Sequence, residues 1–182
     1  MKKSRSRGIA ETYIHIKYDY NLKKKTHEEI KYYLEANSQK WAIKYFKQQV
    51  DITITIEEGS LKAWIIVGGL LYQGIAGYGS FRAGIDFMVK DAKSFSNYAI
   101  EQFYQHEHIP QTDIIRNERR LGIPGKIQRL LKKSDKLNMN QNNRNNLVEE
   151  LKEELLEILD LLDNENDKDL LLQNVPDEIR WA

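Results

Sequence analysis

Cysteine is absent from this 182-residue chain. That excludes a disulfide framework, thiolate metal sites and a cysteine nucleophile, and it fits a reducing compartment. Histidine is scarce, at four residues. The densest ligand-like group, His106-Glu107-His108, has adjacent residues rather than residues one helical turn apart, and no later His or Cys completes a metal shell. Catalytic signatures are missing too. Gly122-Ile123-Pro124-Gly125-Lys126 lacks the first glycine of a phosphate loop, and Ile127 stands where Ser or Thr should hold magnesium. The glycines of 68–79 fit no dinucleotide fingerprint, and there is no Ser-His-Asp order or Gly-x-Ser-x-Gly elbow. A non-enzymatic chain without cofactor or metal is therefore expected.

An excess of one charge sign is also lacking, with 28 basic residues against 27 acidic ones. That average hides segregation. Residues 1–7 carry Lys2, Lys3, Arg5 and Arg7 without an acid, but Ile9-Ala10-Glu11 follows where a secretory signal needs its apolar core. No secretory leader is expected. Residues 113–136 hold Arg116, Arg119, Arg120, Lys126, Arg129, Lys132, Lys133 and Lys136 for a net charge of +5, and residues 149–169 carry a net charge of −8. The basic block either neutralises the phosphates of nucleic acid or anionic lipid, or pairs with the acidic segment. No aromatic residue lies between Ile109 and Asn174, so a nucleic-acid contact here should be weak and salt-sensitive rather than a sequence-specific reading of single strands.

Thr12 to Tyr20 alternates in the period of a half-buried strand. After a loop at 21–25, Thr26 offers an N-cap to a helix over about 27–48, with Glu28 and Glu29 in its first turn. Asp51 to Glu58 reads as a strand, with Ile52, Ile54 and Ile56 on one face. From Ala63 to Phe81 no side chain is charged. With Ser60 as a cap, this run reads as a wholly apolar helix from Leu61, in which Gly69, Ala76 and Ala83 fall seven apart on one side. A turn at Gly77–Ser80 leads into a second, amphipathic helix with Phe81, Ile85, Met88, Val89, Ala92, Phe95, Ala99 and Phe103 on one face.

The resulting hairpin has two readings. Nineteen uncharged residues are long enough to cross a hydrocarbon core of roughly 30 Å, so the hairpin can be stored in a fold and inserted. The same run can also be a buried central helix packed through its glycines. Further on, a short helix through Arg116 and Arg120 and a basic helix over about 126–137 are expected. Asn138 to Asn146 reads as a linker. Val148, Leu151, Leu155, Ile158 and Leu162 form a heptad seam that docks on a partner or on the body, and the tail from Asn164 should be mobile apart from Leu170–Leu172 and Trp181.

The expected architecture is α+β: a strand-helix-strand head at 1–59, a helical hairpin and basic body at 60–137, a linker at 138–146 and an acidic helical appendage at 147–182. The expected function is a membrane-acting or membrane-associated effector, of the kind bacterial toxins represent. Its working part is the hairpin 61–105, with Trp64, Gly68, Gly69, Gly74, Ala76, Gly77, Gly79 and Ala83 as the packing or membrane residues. Membrane lipid or a partner protein, a weak nucleic-acid contact and a homo-oligomer are the expected partners, at a cytoplasmic location near the inner face of a membrane. The alternative is a soluble regulatory module. It binds nucleic acid or an acidic protein through Arg116, Arg119, Arg120, Lys126, Arg129, Lys132 and Lys133, and oligomerises through the acidic helix.

Overall fold

Strand β1 (Ala10–Ile16) sits between two neighbours that come much later in the chain. The computed structural model describes residues 8–17, 26–57, 61–138 and 144–180. Tyr18 to Tyr20, the loop at 21–25, most of the asparagine-rich linker and Trp181 lie outside the described residues. Helix α1 (His27–Ile43) opens with a capping box: Glu29 N donates to Thr26 Oγ1 at 3.2 Å, and Thr26 N donates to Glu29 Oε2 at 2.6 Å. The helix ends five residues short of the expected 48. Strand β2 (Asp51–Glu57) follows as expected.

The apolar run then departs from the helical expectation. Leu61–Gly68 is a strand, β3, antiparallel to both β2 and β1. Leu61, Ala63, Ile65 and Val67 are fully buried, while Lys62, Trp64 and Ile66 point to the other face and are half-buried. From Ala63 to Val67 both faces of β3 are apolar, because Trp64 and Ile66 occupy the second face, so its period of two disappears into a continuous hydrophobic run. The rest of the run is a short helix α2 (Leu71–Ile75) and a turn in which Gly77 and Gly79 have positive φ. Gly69, Ala76 and Ala83 therefore share no helix, and Ala76 is exposed. Helix α3 (Phe81–Glu107) matches the expected amphipathic arm and starts at Ser80, whose Oγ accepts from Ala83 N.

Residues 114–120 also form a strand rather than a helix. β4 (Ile114–Arg120) pairs antiparallel with β1, with a register break at His15/Ile16. It is an edge strand, and charged side chains are what edges carry to prevent stray pairing. That composition concealed its period. The described strands make one sheet in the order β2-β3-β1-β4. With α1 joining β1 to β2 and α3 joining β3 to β4, this is the connectivity of split βαβ, ferredoxin-like domains. Both crossover helices lie on the face of Ala10, Thr12, Ile14 and Ile16, and Thr12 Oγ1 donates to Ser96 Oγ of α3 at 2.9 Å.

The remaining chain wraps this unit. Helix α4 (Gly122–Ser134) packs on α3 and runs into a 3-10 turn ending at Asn138. Helix α5 (Arg144–Leu159) buries the seam of Leu151, Leu155 and Ile158 against α4 and α7, so the seam docks on the body of its own chain. Helices α6 (Glu165–Gln173) and α7 (Asp177–Arg180) correct the expectation of a mobile tail: beyond the buried Leu171 of the excepted stretch, Val175 and Ile179 are core residues too.

One carboxylate ties this tail to the body. Asp167 of α6 is 3% exposed and accepts hydrogen bonds from Leu71 N at 3.0 Å and Tyr72 N at 2.8 Å, the free amides at the start of α2. Asp167→Ala leaves two buried donors unsatisfied and should cost about 3 kcal/mol in a denaturant titration. Asp167→Asn, which keeps one acceptor, should cost less.

Candidate polyanion interface

β4 passes directly into α4, and the turn between them is very tight. Gly122 has φ +58, Ile123 N donates to Gly8 O at 2.9 Å, and Gly125 is buried beneath Leu121. This stitches the first turn of α4 to the start of β1. A hollow of about 430 Å³ opens at the corner, lined by Arg119, Arg120, Lys126 and Arg129 with Glu11 and Gln128.

The basic residues of this region have separate fates. Arg120 lies between Glu11 and Glu118, at 2.7 Å from each, and Arg116 meets Glu118 at 2.6 Å. Burial works against the Arg120 charge, but the hydrogen bonds and charges of Glu118 and Glu11 outweigh it and raise its pKa. Arg119 is held by Asn97 of α3 and by Asn117. Lys133 bridges Glu150 and Glu154 of α5, which raise its pKa. Only this member of the basic block reaches the acidic helix among the described ion pairs. Lys126, Arg129 and Lys132 make no ion pair among the described residues, and Arg129 and Lys132 are exposed. Arg119, Arg120, Lys126 and Arg129 thus converge on one corner, while Arg116, Lys132 and Lys133 stand outside its lining.

The sheet face turned away from α1 and α3 carries a second group. Tyr13 on β1 and Trp64 on β3 are register partners, with ring centroids 4.8 Å apart and planes tilted by 40°. The Arg120 guanidinium stands 5.9 Å over the Tyr13 ring. His15, next on the same face, has its pKa lowered by burial first and then by the charges of Lys62 and Arg116, which favours the neutral ring. The aromatics missing from the basic block are therefore supplied by strands about 50 and 100 residues earlier in the chain. The only sequence signal for them was one aromatic on the polar side of each strand.

The residues chosen for a membrane hairpin do not form one. Trp64 and Gly68 belong to β3, Gly69 to the link before α2, Gly74 to α2, Ala76, Gly77 and Gly79 to the following turn, and Ala83 to the first turn of α3. Among the described residues no helix is long and apolar enough to cross a membrane. Nor does any group of three or more His, Cys, Asp or Glu gather there to hold a metal ion. His106 instead stacks on Tyr33, with centroids 3.7 Å apart, and its Nδ1 is 2.7 Å from the buried Glu107.

No protein-family model matches this chain, and neither a curated protein nor a solved structure matches it.

Proposed function

We propose that this chain is a non-enzymatic binding module that holds nucleic acid at the corner between β4 and α4. The supporting observation is the convergence of Arg119, Arg120, Lys126 and Arg129 on one hollow in which Glu11 is the only acid among the described residues. Glu11 is 3% exposed and already engaged by Arg120, so the hollow presents surplus positive charge. Lys126 and Arg129 make no ion pair among the described residues, although Glu154 and Glu157 of α5 share a second hollow with them, and phosphate contacts release counterions from the polymer.

A membrane-acting effector would use the apolar hairpin, and Leu61–Gly68 lies in the middle of a sheet. This placement favours the binding module over the membrane reading. The heptad residues Leu151, Leu155 and Ile158 are buried against their own chain, which supports a role for the seam within the fold.

The test is fluorescence anisotropy with labelled DNA and RNA across a salt series. Affinity should fall steeply with salt. Lys126→Glu with Arg129→Glu should weaken binding at least tenfold and reduce the log–log salt slope by about two. Arg129 is exposed and Lys126 half-buried, and both also line a hollow with Glu154 and Glu157 of α5, so Lys126→Gln with Arg129→Gln, which adds no repulsion there, should weaken binding in the same direction with circular dichroism unchanged. Salt-independent binding, or an unaffected double variant, would remove the corner from the function.

A further inference from the structure

Apolar side chains on the helix-free face of the sheet pose a physical question. Sheet register arranges this face in rows. The middle row runs Thr55, Trp64, Tyr13, Glu118. On one side lie Thr53, Ile66, Glu11 and Arg120. On the other lie Glu57, Lys62, His15 and Arg116. Two aromatic rings thus occupy the centre of a polar frame, and neither crossover helix covers them. Tyr13 is only 8% exposed, because Trp64, His15 and Arg120 close around it, whereas Trp64 remains half-buried. Trp64 is the accessible ring and Tyr13 its support.

The frame is close to electroneutral. Glu57 answers Lys62 at 3.4 Å, Glu118 answers Arg116, and Glu11 with Glu118 answers Arg120. Charge alone would not draw a phosphate backbone across the middle of this face. Arg120 nevertheless belongs to both places: it lines the corner hollow and stands over Tyr13. A backbone held at the corner by Lys126 and Arg129 therefore passes beside an aromatic platform whose surroundings favour a neutral, flat group. An unpaired base is such a group, since every base has a π-face and stacking on tryptophan is indifferent to its identity. A duplex turns its bases inward and offers none.

We propose that the occupant of this face is single-stranded nucleic acid, with a base stacked on Trp64, Tyr13 as buttress and the flanking phosphates at the corner cations. This rests on the polyanion reading of that corner and names its ligand. The acids of the frame are suited to base edges: Glu118, beside Tyr13 in the middle row, can accept from an exocyclic amino group.

The experiment compares three labelled probes on the full chain: a twelve-nucleotide single strand, the same length of abasic sugar-phosphate, and a duplex. The single strand should bind at least tenfold more tightly than the other two. Trp64→Ala should weaken it by about 5- to 150-fold, the worth of one stacked base, and leave the abasic probe unaffected. Trp64→Phe, which keeps a ring and controls for packing, should restore most of the affinity. Lys126→Glu with Arg129→Glu should weaken all three probes alike. Independently of any variant, ultraviolet cross-linking of the bound strand to the wild-type chain should label the peptide holding Tyr13 or Trp64. Equal binding of the three probes, or cross-links confined to α4, would overturn the stacked base and leave the corner standing. No binding of any probe at low salt would overturn both readings.

Discussion

Ile65→Lys should leave no folded protein. Ile65 is fully buried, lies in β3 between β2 and β1, and faces the crossover helices beside Thr12 and Ile54. Among the described strand residues no acid shares that face, and an unpaired ammonium in such a site costs several kcal/mol even after it gives up its proton. A domain of this size has about 5–15 kcal/mol to lose in total. Expression in inclusion bodies, or a soluble chain without a cooperative melt, is the expected outcome. The chain contains its own control, because Lys62 lies in the same strand on the opposite face and pairs with Glu57. Tolerance to lysine should therefore alternate along 61–68, with Ala63, Ile65 and Val67 intolerant. Tolerance following a period of three or four residues would instead indicate a helix.

Gly122→Ala should be nearly as damaging, for a different reason. The added methyl would lie 2.1 Å from the Gly8 carbonyl oxygen and 2.9 Å from backbone carbons of Gly8 and Ile9. Backbone atoms tied to β3 by the hydrogen bond from Ile9 N to Val67 O, at 2.7 Å, cannot swing aside as a side chain does. The residue also has φ +58, where an L side chain costs about 1–2 kcal/mol before any clash. Overpacking adds about 1–3 kcal/mol, so a loss of about 2–5 kcal/mol is expected in denaturant unfolding. Gly77→Ala separates the two contributions. Gly77 has φ +99 but nothing within 4 Å of its missing Cβ, so it should lose only the conformational part, ~1 kcal/mol. If the two variants proved equally stable, the close approach of α4 to β1 would be disproved. Because Gly122 also sets the direction in which Lys126 and Arg129 project, its variant should weaken polyanion binding even under conditions where it folds.

The α+β class was legible from the sequence because several elements carry polar residues on one side and apolar ones on the other. β1, α1, β2 and α3 alternate polar and apolar residues with their own period, and Thr26 and Ser80 supply recognisable caps. β3 and β4 failed for opposite reasons. β3 is apolar on both faces, since Trp64 and Ile66 continue what Ala63, Ile65 and Val67 begin. In β4, Arg116, Glu118 and Arg120 alternate with Asn117 and Arg119, so both faces are polar and no period remains. The site followed the same division. The basic residues were visible as a cluster because they are close in sequence, although pairing consumed some of them. Tyr13 and Trp64 were invisible as a pair, because their adjacency comes from the β1-β3 register rather than from local spacing.

That strand order also bears on how the protein is made. Glu11 waits for Arg120, 109 residues later, and Leu71 waits for Asp167, 96 residues later. A ribosome adding about 5–20 residues per second needs roughly 5–20 s to bridge the first of these gaps. During that time the nascent chain carries β1 with one edge unclaimed. Segments that come together across such distances close slowly, and the cost falls on whatever must protect the waiting edge. A chaperone that holds the nascent chain would act at this interval. Truncating the chain before Ile114 should convert a soluble nascent product into an aggregating one.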